Sequence, residues 1–108
     1  MKLLLSGLTL LAAFSIPAFA ADEATQAVKA IGKINGIALA CQQPALSSRA
    51  RNAVQTGAPK TRAYGEAFED ATSAAFLAQG KEVCPGAGEL SAQLSEAEAA
   101  LAKAFPHR

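Results

Sequence analysis

The chain of 108 residues contains two cysteines, Cys41 in "GIALACQQPAL" and Cys84 in "KEVCPGAG", and the use made of this pair limits the fold more than any other feature. Three uses compete: a redox couple, a metal site and a structural staple. Redox enzymes favour the CxxC spacing, in which the second thiol resolves a mixed disulfide and lowers the pKa of the first, and the sequence has no such spacing. A zinc site takes about four Cys, His or carboxylate ligands, and the single histidine is His107, next to the last residue. The N-terminus decides between the readings. In "MKLLLSGLTLLAAFSIPAFA" one basic residue, Lys2, precedes an apolar run from Leu3 to Ile16, then Pro17 and the small-x-small end Ala18-Phe19-Ala20. This is the layout of a secretory signal peptide, and the run is shorter than the roughly 20 apolar residues that span a bilayer. Residues 1–20 are therefore read as a signal peptide cleaved after Ala20, with no cysteine at the cut to carry a lipid, and the protein as periplasmic or secreted. Exported compartments are oxidising, so Cys41 and Cys84 are expected to form a disulfide.

Cleavage of 20 residues from 108 leaves 88, residues 21–108, enough for a single helical domain with a short frayed C-terminal tail. Loss of Lys2 leaves nine Lys and Arg against nine Asp and Glu. That neutrality argues against a nucleic-acid partner, which requires net positive charge to displace counterions. A domain this small buries a limited share of its surface, and a disulfide closing so long a loop contributes about 4 kcal/mol on the chain-entropy model.

The remaining composition, rich in Ala, Glu, Gln and Lys and poor in β-branched residues, predicts an all-α fold: a small disulfide-stapled bundle of about four helices. A first helix is expected from an N-cap at Asp22 through "EATQAVKAIGKINGIALACQ", with Ala24, Val28, Ile31, Ala38 and Cys41 at helical spacing and Ile34, Ile37 and Leu39 widening the stripe. Gly32 and Gly36 interrupt it. Their spacing admits a close neighbour, so they mark a helix-packing or dimer face, unless "NG" at Asn35 and Gly36 is a turn. Pro44 suits the first turn of a second helix bearing Leu46, Ala50, Ala53 and Val54, ended by Gly57 and Pro59. A third helix is placed from Lys60 to Gln79 with Gly80 as its C-cap, and Tyr64, Phe68, Thr72 and Phe76 fall every four residues along it. After the "PGAG" turn, Leu90, Leu94, Ala97, Leu101 and Phe105 form a last stripe. Ser95 and Glu98 have capping-box spacing, which allows two short helices there instead of one.

Chemistry-bearing candidates are few. Arg49, Arg51, Lys60 and Arg62 lie in a stretch without acids and form a candidate anion-facing patch, or a solvated face with internal ion pairs. Tyr64, Phe68 and Phe76 outline an apolar pocket or, alternatively, simply the core. Glu66 and Asp70 stand one turn apart, but no histidine, nucleophile or phosphate loop accompanies them, and Ser47 and Ser48 lack a base, so no enzymatic function, cofactor or metal is predicted.

In general layout, a signal peptide followed by fewer than a hundred helical residues with one long-range disulfide, the chain is similar to the small periplasmic acid-stress chaperones; the likeness covers architecture and no motif. It implies a mechanism in which acid neutralises nine carboxylates, takes the mature chain to about +10 counting His107, and opens apolar helix faces within the limit set by the disulfide. The leading expectation is an exported, non-enzymatic interaction module for another envelope or secreted protein, or for a second copy through the Gly32 and Gly36 face, with no membrane span once the signal is removed. The acid-responsive chaperone and a small-ligand carrier built on the aromatics are the alternatives. A partner module leaves an apolar patch exposed, a chaperone hides it, and a carrier encloses a cavity.

Overall fold

The computed structural model describes residues 15–106. It is a bundle of four helices: α1 (Ser15–Ala40), α2 (Pro44–Gly57), α3 (Arg62–Gln79) and α4 (Ala87–Ala104). Most of the predicted signal peptide falls on residues 1–14 and, like His107, lies outside the described residues. Among the described residues no helix is long and apolar enough to cross a membrane.

The helices alternate in direction. Gly32 and Gly36 of α1 face Phe68 and Ala71, then Thr72 and Ala75, of α3, so these two helices run the same way. Against α4, Ala27 lies by Ala100 and Ala104 whereas Ile34 lies by Gln93 and Ala97, so α4 runs opposite to α1. α2 follows α4, with Arg49 reaching Ser91 and Ser95, and Gly57 lying against Leu101. The order is up-down-up-down, but α1 is the hub: it packs on all three other helices, most extensively on α3, while α2 meets α4 over a shorter stretch.

That central position explains the wide apolar face of α1, where Ala24, Ala27, Val28, Ile31, Ile34 and Ala38 are all buried. They join Ala50 and Ala58, Phe68, and the α4 stripe of Leu90, Leu94, Ala97 and Leu101 in one core. α1 and α3 touch because both present small residues. A Cβ added at Gly32 would lie 2.6 Å from the Phe68 carbonyl oxygen and 2.9 Å from Ala71 Cβ; one at Gly36 would overlap the Thr72 carbonyl oxygen and lie 2.9 Å from Ala75 Cβ. The glycine face is thus covered within the chain, by α3, and is not the free surface that a second copy would need.

Several boundaries differ from those predicted. α1 does not start at Asp22 but continues back to Ser15. The described helix includes Pro17. α3 starts two residues later than expected, because the Thr61 side chain caps it by accepting from the Tyr64 N–H at 3.3 Å. α4 is one helix, and Ser95 and Glu98 serve another purpose, described below. Gly80 sits at the α3 C-cap with a right-handed φ of −54°, whereas the left-handed turn is made by Gln42, at φ 58°, after α1. There Gln43 N–H bonds to Ala38 O at 2.8 Å and Gln42 N–H to Leu39 O at 3.4 Å, a Schellman motif without its usual glycine.

Candidate functional site

The Schellman turn places Cys41 against Cys84, and the two form a disulfide with Cα atoms 5.8 Å apart across a sequence separation of 43. The bond pins the connector between α3 and α4 to the end of α1.

Near this staple several large apolar side chains are exposed, beside the charged Lys81 and Glu82 of the connector. Leu39 is 40% exposed at the end of α1, Phe76 and Leu77 are 46% and 75% exposed in the last turns of α3, and Val83 is 93% exposed in the connector next to Cys84. From Ala71 to Gly80 the chain has no charged residue, in contrast to the first half of α3 with Arg62, Glu66, Glu69 and Asp70. Gln79 supports the connector, its side-chain amide donating to the carbonyls of Glu82 at 3.3 Å and Val83 at 3.1 Å. Val83 is thereby held by two neighbours, the Gln79 amide and the Cys84 disulfide, while its side chain stays in solvent.

The predicted aromatic group does not stay together. Phe68 is buried in the core beside Gly32. Tyr64 is half-buried and packs edge-on against Phe105, with ring centroids 5.4 Å apart. Phe76 belongs to the exposed apolar end. A step of four residues turns about 40° around a helix, so the three rings drift around α3 and only Phe68 points into the core.

The four candidate cations also part. Arg49 is taken by α4: its Nε and Nη2 donate to the two carboxylate oxygens of Glu98 at 3.0 and 2.9 Å, and its terminal nitrogens donate to Ser91 Oγ at 3.0 Å and Ser95 Oγ at 2.8 Å. The hydrogen bonds to Glu98 raise the Arg49 pKa above its ordinary value, against the opposing effect of burial. Arg62 lies 3.7 Å from Glu66 in an exposed pair one turn along α3. Arg51 and Lys60 are exposed and make no ion pair among the described residues. Asp70 is exposed on α3.

One polar cluster that sequence reasoning missed sits in the core. Asn35 Nδ2 donates to Thr72 Oγ1 at 3.1 Å, Ser47 Oγ donates to Asn35 Oδ1 at 2.6 Å, and Thr72 Oγ1 donates to the Gly32 carbonyl at 3.1 Å. All three side chains are buried, and among the described residues no buried side-chain polar atom lacks a partner. The cluster joins α1, α2 and α3. Its signal in the sequence was register: Asn35 occupies an inward position between Ile31 and Ala38. The Ser47 hydroxyl is directed to an amide oxygen, which does not activate it as a nucleophile.

Comparison of the chain with protein-family models, with curated proteins and with solved structures returned no match.

Proposed function

We propose that this is a small, exported, non-enzymatic helical protein that binds another envelope or secreted protein through the apolar end built by Leu39, Phe76, Leu77 and Val83. The observation that carries the reading is the contrast between a completed core and this uncovered end. Val28, Ile31, Leu90 and Leu94 are fully buried, yet Leu77 and Val83 are 75% and 93% exposed beside the disulfide that orders them. Large side chains left in water on an ordered surface contribute little to folding and gain only when a partner covers them. The disulfide also supports work in an oxidising compartment, periplasmic or extracellular. The test is comparative capture from an envelope extract with the wild type and the double variant Leu77→Asp, Val83→Asp. A protein retained by the first and lost by the second, with thermal stability unchanged, supports the reading; identical captures count against it.

The Arg49–Glu98 pair favours a second reading, the acid-responsive chaperone. It is the only ion pair joining two helices among the described residues, and it holds α2 to α4 together with the Arg49 hydrogen bonds to Ser91 and Ser95. That reading requires the protein to suppress aggregation of a client at about pH 3 and not at neutral pH. Inactivity at both excludes it.

A further inference from the structure

The outer side of the α2–α3 seam is open. One hollow there is lined by Val54, Gln55, Lys60, Tyr64 and Gly65, among others. A second is lined by Arg51, Phe68 and Glu69 together with the same Val54, Gln55 and Gly65, so the two form a continuous groove. Its floor is apolar, and its cations, Arg51 and Lys60, outnumber its one acid, Glu69.

Gly65 is the informative residue. Glycine destabilises a helix relative to alanine, and a chain keeps one where a left-handed backbone or a close approach demands it. Gly32, Gly36 and Gly57 meet the second condition, since an added Cβ would come within 3 Å of α3 or, for Gly57, 2.8 Å from Leu101 Cδ2. Gly65 meets neither: no glycine among the described residues has a positive φ, and a Cβ there would find nothing within 4 Å. Gly86 and Gly88 are equally open, but they stand at the exposed start of α4. The fold itself therefore makes no use of the missing side chain at the floor of this groove.

We infer that the α2–α3 groove receives an amphipathic helix of a partner protein, with small or apolar residues against Gly65 and acidic residues toward Arg51 and Lys60. Both cations are free of ion pairs among the described residues, which supplies the charge complementarity. A seam open along one side fits a helix laid into it better than a small molecule that must be enclosed. From Arg51 to Ala58, beside Lys60, α2 rises about 10 Å, so the acidic residues of the partner helix stand roughly two turns apart. The inference rests on the interaction reading in naming a protein partner, but uses a surface separate from the apolar end.

The probes are two synthetic alanine–leucine helices, one bearing two glutamates two turns apart and the other lysines at the same positions, titrated against the disulfide-bonded protein by fluorescence anisotropy. The glutamate peptide is expected to bind at least about tenfold more tightly. Gly65→Leu, which has room to fold, and the charge reversal Arg51→Glu with Lys60→Glu should each abolish that binding. Leu77→Asp with Val83→Asp should leave it intact, which separates this inference from the proposal for the apolar end. Equal binding of the two peptides, or binding that survives both groove variants, overturns it. A protein dimer that Gly65→Leu dissociates also overturns it, because a second copy then fills the groove.

Discussion

Gln42 and Asn35 show how much of this fold turns on single side chains. Gln42 takes the left-handed conformation that ends α1 and aims Cys41 at Cys84, at a steric cost that glycine does not incur. Gln42→Gly is expected to raise the unfolding free energy by about 0.5–1 kcal/mol, the relief of strain being partly offset by a more flexible unfolded chain, as urea denaturation will show. Asn35 accepts from Ser47 and donates to Thr72 with almost no exposure. Asn35→Ala leaves the Ser47 hydroxyl without its acceptor and should cost about 2 kcal/mol. Asn35→Asp should cost more at neutral pH, because a buried carboxylate has no donor in Thr72, whose hydroxyl already donates to Gly32 O. Burial raises the folded-state pKa of such an aspartate, so this variant should regain stability as pH falls and its carboxyl takes up a proton; a flat pH profile would contradict the network as described.

At the scale of elements, the α1–α3 contact is set by small residues and the α2–α4 contact by one arginine. Gly36→Ala forces a methyl group into the Thr72 carbonyl and should destabilise by about 2 kcal/mol, whereas Gly65→Ala, in open space, should stabilise by up to about 1 kcal/mol. Calorimetry on the two variants reads opposite signs from the same substitution. Arg49→Ala removes a forked pair whose two side chains are about one-third exposed, so solvent screening holds the expected loss to about 1 kcal/mol. The raised Arg49 pKa keeps its side of this contribution constant from neutral pH upward until strongly alkaline solution deprotonates the guanidinium. Four helices, the stripe Leu90, Leu94, Ala97 and Leu101, and the close approach at Gly32 and Gly36 were legible in the sequence, because helical period and residue size are local properties. The role of Arg49 was not, because charge spacing along α2 carries no information about Glu98 on α4. Nor was the fate of Phe68 and Phe76, which lie eight residues and about 80° apart around α3, so that one turns into the core and the other out of it.

For the whole molecule, the disulfide holds the connector of α3 and α4 to the end of α1 and so orders the apolar end. Replacing both cysteines with serine should lower stability by about 4 kcal/mol on the chain-entropy model and release Val83 and its neighbours to rapid proteolysis while the Leu90–Leu101 core persists. Cleavage of the reduced protein first inside α4 would show that the staple supports the core instead. The wild-type fold presents two uncovered features of different chemistry, the apolar side chains Leu77 and Val83 near the disulfide and the cation-flanked groove at Gly65, on a core whose buried polar side chains are all satisfied among the described residues. The most direct measurement is site-specific photo-crosslinking in intact cells, with the photoreactive residue placed at Leu77 and, as a control, at exposed Ala92 on α4. A discrete adduct to one other protein from Leu77 and none from Ala92 is the result this account predicts; no adduct from Leu77, or the same adducts from both positions, would contradict it.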